Sequence, residues 1–200
     1  MSDRFRIADL PAELQSQIIR RELATEELLF NEGDAANAIY YLESGQMRLL
    51  NYTRSGKTVS HYSVMAGEFF AEVLTILERC VCSAIAEEPS SVLIIPKQLW
   101  LETLQQHPHL AIAFAGEVSE RLHMVKITLQ LRGIRSAQER VLSYLQIMAQ
   151  PETGIVRIDR PLKQVARDLD LTAETLSRVL SQLAVEGEIR REAGQIVLSE

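Results

Sequence analysis

The sequence lacks the features of membrane, secreted or disulfide-bonded proteins. Only 2 of its 200 residues are cysteines, which excludes a disulfide framework and an iron–sulfur cluster held by four thiolates. Apolar runs such as residues 92–95 are far shorter than the roughly 20 residues that cross a bilayer. The charges at residues 3–6 precede no apolar segment, so no secretory signal is expected. We therefore expect a cytoplasmic protein that has no contact with membrane.

An excess of positive charge is also absent. The net charge is -6, which argues against indiscriminate binding to nucleic acid. The acidity lies mainly in residues 1–133, with 12 basic and 17 acidic residues, whereas residues 134–200 carry 9 and 10. The last third is therefore nearly neutral and can present a local basic face. The composition, 46% apolar and 24% charged, is typical of one or two globular domains.

The spacing of glycine and apolar residues predicts the first domain, residues 1–109. Helical spacing of Leu10, Leu14 and Ile18 predicts a helix over residues 9–24. From residue 27 to 96, short β-branched and aromatic runs lie between glycines at 33, 45, 56 and 67, an interval that fits successive strands and turns. The pattern predicts an antiparallel β-roll of about eight strands.

A long helix is predicted after a short helix around Trp100. Residues 110–133 contain no internal proline, and apolar residues recur there in steps of four and three, as in a coiled coil. This is the third helix predicted along the chain, α3, and we call its recurring apolar residues the α3 seam: Ala111, Ala115, Val118, Leu122, Val125 and Leu129. The pattern predicts a homodimer along this dimerisation helix; the alternative is a helix buried against its own roll.

Residues 134–200 have the pattern of a winged helix-turn-helix. Helices are predicted at residues 136–149, 162–169 and 172–186, a strand at 154–158, and a β-wing at 188–198. Ala166 allows two helices to cross closely, Asp170 tolerates a left-handed turn, and Thr172 is a good N-cap. A helical hairpin within a core is the alternative.

Outward-facing residues of the second helix are the predicted DNA-reading groups. Arg178 can bridge two acceptors of guanine, Glu174 can accept from cytosine, and Ser177 can contact either kind of base edge. Glu174 and Arg178 can instead form a surface ion pair. Predicted phosphate contacts are Lys163, Arg167, Thr172, Thr175, Arg190 and Arg191.

The roll, the seam helix and the winged helix-turn-helix together resemble the Crp/Fnr superfamily of bacterial transcription regulators over nearly the whole chain. The segment Glu174-Thr175-Leu176-Ser177-Arg178 is similar to the E-x-x-S-R signature of the Fnr branch. The resemblance implies a palindromic operator with TTGAT–ATCAA half-sites. It also implies contact with RNA polymerase if the protein is an activator.

The resemblance also implies an effector pocket in the roll. The family's G-E-x-F-G-E segment corresponds to residues 67–72, where Ala71 replaces glycine. The phosphate-binding arginine is replaced by Cys82, so cyclic AMP is not favoured. The pocket residues carried over from the family are Gly67, Glu68, Phe70, Glu72, Cys82, Ser83 and Val125.

The sequence leaves several alternatives for a cofactor. Cys80 and Cys82, placed on one face of a predicted strand, are read as core residues, redox sensors or metal ligands with a distant histidine. Haem would need an axial ligand from His61, His107, His109 or His123. A regulator without any small ligand is the remaining alternative.

The pattern thus predicts an α+β protein that is a dimeric, sequence-specific DNA-binding regulator and not an enzyme, since no nucleophile elbow, P-loop or dinucleotide fingerprint is present. The alternative function is a sensory module of the cyclic-nucleotide type that acts on a partner protein without binding DNA.

Overall fold

The computed structural model describes residues 7–53, 55–158, 161–192 and 194–199, with the side chains of Ser60 and His61 left out. The chain forms two compact units, Met1–Val118 and Ser119–Glu200. The boundary lies within the long helix, so the last part of that helix belongs to the second unit. No helix among these residues is long and apolar enough to cross a membrane.

The first unit is the predicted β-roll. After a 3-10 turn at Ile7–Asp9, the elements are α1 (Ala12–Gln15), β1 (Ile19–Leu23), β2 (Leu28–Phe30), β3 (Ala38–Ser44), β4 (Gln46–Tyr52), β5 (Thr58–Met65), β6 (Phe69–Phe70), a second 3-10 turn (Glu72–Thr75), β7 (Ser83–Ala86), β8 (Ser90–Pro96), α2 (Lys97–Gln106) and α3 (Pro108–Arg132). The eight strands form two antiparallel sheets, ordered β1-β8-β3-β6 and β2-β7-β4-β5.

The prediction of one helix over residues 9–24 is wrong. Only Ala12–Gln15 is α-helical, and Ile19–Leu23 is a strand that pairs with β8. Backbone hydrogen bonds to β8 override the helical spacing of the apolar residues, because propensity is a weak prior against tertiary pairing. A bidentate contact from Arg20 to Glu43 on β3, at 2.5 and 2.7 Å, lies over the same sheet.

The β3–β4 turn shows why one of the spaced glycines is required. Gly45 has φ +86°, and a Cβ added there would lie 2.2 Å from the Ser90 hydroxyl oxygen. Both the left-handed backbone and the close approach of Ser90 exclude any larger residue.

Neighbouring aromatic residues of β6 point to opposite sides, as strand geometry requires. Phe70 stacks on Tyr40 with ring centroids 5.4 Å apart, and Tyr40 stacks on Phe30. Phe69 instead packs against Trp100 of α2 and Phe114 of α3, at 5.5 and 5.9 Å. This second group attaches the first turns of α3 to the roll.

The second unit contains the predicted helices and wing. Its elements after α3 are α4 (Ala137–Met148), β9 (Ile155–Arg157), α5 (Leu162–Asp168), α6 (Ala173–Val185), β10 (Ile189–Glu192) and β11 (Gln195–Leu198). The three strands form an antiparallel sheet, β10-β11-β9. A separate core includes Leu131, Val141, Leu145, Leu169 and Leu183.

Candidate nucleic-acid interface

A tight turn joins α5 and α6 at residues 169–172. Asp170 has φ 54°, the left-handed conformation predicted for it. The Leu171 amide donates to the Ala166 carbonyl at 2.8 Å. Ala166 is 1% exposed, so its methyl group lies at the close helix contact where a larger side chain would not fit. The segment therefore has the local geometry of a helix-turn-helix.

The second helix begins with a side-chain cap. The Thr172 hydroxyl oxygen accepts from the Thr175 amide at 3.1 Å, satisfying one of the unpaired N–H groups of the first turn. The Glu174 carboxylate is exposed. Its own backbone N–H and the Thr172 hydroxyl hold its pKa below the ordinary value. Glu174 therefore remains an acceptor at neutral pH.

Helix α6 divides cleanly into a buried and an exposed face. Leu176, Val179, Leu180 and Leu183 are buried, whereas the predicted base-reading residues Glu174, Ser177 and Arg178 are all exposed. Within the described part of the chain, the anticipated Glu174–Arg178 ion pair is not found, and Arg178 has no partner there. Its guanidinium donors therefore point to solvent without an internal acceptor.

Two residues predicted to contact phosphate lie beside the N-terminus of α6. Lys163 and Arg167 are exposed on α5 and, with residues 170–174, line an open depression of about 560 Å³. The first amides of α6 lie in this segment, and a helix N-terminus favours anions. Thr175, in contrast, is half-buried, and its amide is used by Thr172.

The wing carries further positive charge, part of which the sequence analysis missed. Arg190 and Arg191 are exposed on β10. Arg157 of β9 is exposed too, and pairs across the sheet with Gln195 of β11. Its only sequence signal was a basic residue within the strand predicted at 154–158, which does not reveal that β9 joins the wing.

In the second unit, the seam residues of α3 lie opposite the core-facing side of the helix. Within the second unit, Ile127 and Leu131 are buried in its core, while Leu122, Val125 and Leu129 are 52%, 50% and 71% exposed. At about 100° per residue, these two sets occupy opposite sides of the helix. In the first unit Ala115 is exposed and Val118 half-buried, whereas Leu110 is in the core.

The predicted effector-pocket residues have varied environments. Gly67 has φ +90° in the β5–β6 turn, and the Glu68 carboxylate accepts from the Met65 amide at 3.1 Å, so both serve the turn. Phe70 is buried against Tyr40. The Ser83 hydroxyl accepts from the Glu32 amide at 3.0 Å.

The remaining residues of that prediction lie in different elements. Ala71 has φ 58°, which explains a preference for glycine at this position in the family segment. Glu72 begins the 3-10 turn. Val125 belongs to the second compact unit, whereas residues 67–83 belong to the first.

The position of the missing phosphate-binding arginine has an acidic environment. Cys82 is buried, and burial raises the pKa of its thiol to about 11, with Cys80, Glu32 and Glu72 contributing. Arg79 is exposed, and its Nη1 donates to the Gly33 carbonyl at 2.8 Å. The carboxylates of Glu32 and Glu72 oppose an anionic ligand at Cys82.

Both cysteines are free and buried. The prediction that they lie on a strand is wrong, because β7 begins after them, at Ser83. Val81 between them is 49% exposed, so the two thiols do point to the same, interior side. Burial also raises the pKa of the Cys80 thiol. Thiols of this kind are poor nucleophiles and poor redox sensors, which favours the core interpretation.

The four histidines lie in several parts of the chain. His107 is half-buried and His109 exposed, with ring centroids 5.8 Å apart; His123 is exposed in the second unit, and the side chain of His61 lies outside the described part. Among the described residues, no group of three or more His, Cys, Asp or Glu could hold a metal ion.

Comparison with known proteins agrees with this architecture. Residues 20–107 match the family model of the cyclic nucleotide-binding domain. The cyclic AMP receptor protein of Thermus thermophilus is 28% identical over 86% of this chain and 80% of its own length. The solved structure of FixK2 from Bradyrhizobium japonicum has a TM-score of 0.58 and 22% identity, covering 92% of this chain and 93% of that one. DNR from Pseudomonas aeruginosa has 29% identity and a TM-score of 0.52, covering 94% and 85%.

These similarities extend through both units. The fold is that of Crp/Fnr-type proteins, an antiparallel nucleotide-binding-type roll followed by helices. Relatives that match most of the chain include a probable transcriptional activator of Rhizobium leguminosarum and an anaerobic regulatory protein of Bacillus subtilis, which supports the superfamily and a DNA-binding regulator.

Proposed function

We propose that this protein is a dimeric, sequence-specific DNA-binding transcription regulator. Its similarity to Crp/Fnr regulators supports this proposal. The DNA-binding surface is the exposed face of α6 with the surrounding cations. The observation that carries the proposal is Arg178, an exposed arginine on the second helix of a helix-turn-helix that has no acceptor within the described residues.

The charge arrangement favours DNA as the ligand of this face. Arg178 supplies two parallel donors, which suit the O6 and N7 acceptors of guanine. Glu174, an ionised acceptor about one helical turn before Arg178 on the same helix, suits the amino group of cytosine. Ser177 lies between them in sequence. Lys163, Arg167, Arg190 and Arg191 provide phosphate contacts that orient α6 without reading sequence.

The α3 seam provides the dimer interface of this proposal. Leu122, Val125 and Leu129 expose apolar area on the side away from the core of the second unit, and an identical helix offers a matching surface. A two-fold axis would present two α6 helices to the half-sites of a palindrome. The E-x-x-S-R resemblance assigns TTGAT–ATCAA half-sites.

The signal is received by the roll in this proposal. A buried Cys82 near Glu32 and Glu72 does not favour a cyclic phosphate, so the effector differs from cyclic AMP, or the protein is active without one. As an activator it would also contact RNA polymerase.

The decisive experiment is a titration of the purified protein against a labelled TTGAT–ATCAA duplex and a scrambled duplex of equal composition, at several salt concentrations. We expect a preference for the palindrome of at least 10³-fold, the lower range for specific binding. Selection from a random duplex pool identifies the preferred site if these half-sites are wrong.

Two outcomes separate the alternatives. A different preferred sequence refutes the assigned half-sites but keeps the regulator. The absence of any preferred duplex, with and without cell extract as a source of effectors, refutes DNA recognition and favours a sensory module that acts on a partner protein.

A further inference from the structure

An arginine of α4 bonds to the turn of the helix-turn-helix. The Arg140 side chain is half-buried. Its Nη1 donates to the Leu169 carbonyl at 2.7 Å. Its Nε and Nη2 donate to the Ile134 carbonyl at 3.0 and 2.7 Å. One guanidinium therefore joins the turn of the helix-turn-helix to the α3–α4 linker, residues 133–136.

The carbonyls at the C-terminal end of α5 divide between backbone and side-chain donors. The carbonyls of Val165, Ala166 and Arg167 accept from amides of residues 169–171. The next two carbonyls, those of Asp168 and of the C-cap residue Leu169, accept from arginine side chains, which is one way that carbonyls at a helix C-terminus are satisfied. Leu169 receives Arg140, and the Asp168 carbonyl receives Nε of Arg132 at 3.3 Å. Both arginines come from the region where α3 ends and α4 begins.

This contact also explains why the group is arginine. Three donors of a planar fork reach two carbonyls that belong to separate segments. A positive group near the carbonyl end of α5 is also favoured by the helix dipole. A lysine ammonium is a compact point charge and cannot reproduce the fork.

We propose that Arg140 is a positioning residue for DNA recognition, which sets the turn before α6 against the α3–α4 linker. The inference rests on the proposed function. The position of α6 then depends on the conformation of the linker, although Arg140 contacts neither base nor phosphate. Arg140 therefore affects discrimination between DNA sequences and not the general attraction to DNA.

The test compares Arg140→Lys with the parent, using the duplex that the parent prefers and its scrambled counterpart. Arg135→Lys is the matched control, because Arg135 lies in the same linker, is exposed, and has no partner among the described residues. All measurements are made at a temperature where thermal unfolding curves show each variant to be folded. Arg140→Gln repeats the test without the charge.

We expect Arg140→Lys to lower the ratio of specific to scrambled affinity at least tenfold, with scrambled affinity and its salt dependence unchanged. Arg135→Lys should leave the ratio unchanged. An unaltered ratio in Arg140→Lys and Arg140→Gln overturns the positioning role alone. Equal loss on both duplexes also overturns it, since that marks a phosphate contact or general unfolding. If the parent prefers no duplex, the proposed function fails and this role fails with it.

Discussion

The hydroxyl oxygen of Thr172 accepts a hydrogen bond from the backbone amide of Thr175, 3.1 Å away. Thr172 was also predicted to contact phosphate, for which its hydroxyl must donate, but that hydroxyl donates to the Thr175 hydroxyl oxygen at 3.1 Å. Its first role is therefore to begin the helix that carries Glu174, Ser177 and Arg178.

Replacing the cap should affect stability directly. We expect Thr172→Ala to lower the free energy of unfolding by about 1 kcal/mol, because an N–H of the first turn loses its acceptor. Thr172→Ser should remain close to the parent, since it keeps the oxygen. Urea denaturation of the three proteins measures the effect, and equal midpoints for the alanine and serine variants would contradict the capping role.

Arg178 and Lys163 should show two different kinds of defect in DNA binding. Arg178→Ala should cost about 1–3 kcal/mol on the preferred duplex and relax base preference at one position. Lys163→Ala should weaken binding to all duplexes alike and reduce the salt slope by about 1. Titrations against single-base variants at three salt concentrations distinguish them. Unchanged base preference in Arg178→Ala would remove its assigned role.

If two copies of the protein associate along the α3 seam, a charge placed on the seam should weaken the dimer. Leu129 is 71% exposed, so Leu129→Glu should leave the monomer folded. In a dimer it places like charges across the seam and should weaken association at least tenfold. Gln130→Glu adds the same charge to the next exposed position, off the seam, and should not. Sedimentation equilibrium measures both, and equal dissociation constants would exclude this face as the interface.

Because the Cys82 thiol is buried, we expect the free energy of unfolding to fall at alkaline pH. Its pKa is raised from 9.0 to about 11 in the folded protein, so between these values the unfolded chain releases a proton that the folded chain retains. Stability from this group is therefore complete below about pH 9 and is lost as the pH rises towards 11.

The matched measurement uses Cys82→Ala, which removes the titrating group. The thermal midpoint of the parent should fall more steeply from pH 9 to 11 than that of the variant. Tyr40, whose pKa burial raises to about 12, contributes a decline common to both proteins. Parallel curves would show that Cys82 does not titrate in this range.

Several parts of the fold could be predicted from the sequence because their signals are local. The turn at Gly45 needs a positive φ, Asp170 takes the left-handed conformation expected of it, and Thr172 caps the helix that follows it. The alternation of strands and turns predicted the roll. These features depend on residues a few positions apart, so the pattern alone specifies them.

The prediction failed where distant segments compete with local preference. Residues 19–23 have helical spacing but gain backbone partners on β8, some 70 residues away in sequence, and form a strand. Cys80 and Cys82 show an alternating pattern without a strand, because pairing of residues 33–36 with 78–80 holds them in a buried loop.

The candidate DNA-binding site divides in the same way. The amphipathic pattern of the sequence by itself determined which residues of α6 face outward, because burial of Leu176 and Val179 fixes the rotation of the helix. Only the tertiary structure decided that Arg157 joins the wing and that Arg140 holds the turn of the helix-turn-helix. Those contacts join residues 29 or more positions apart, and a hydrogen bond between such residues is specified by the folded backbone and not by any local pattern.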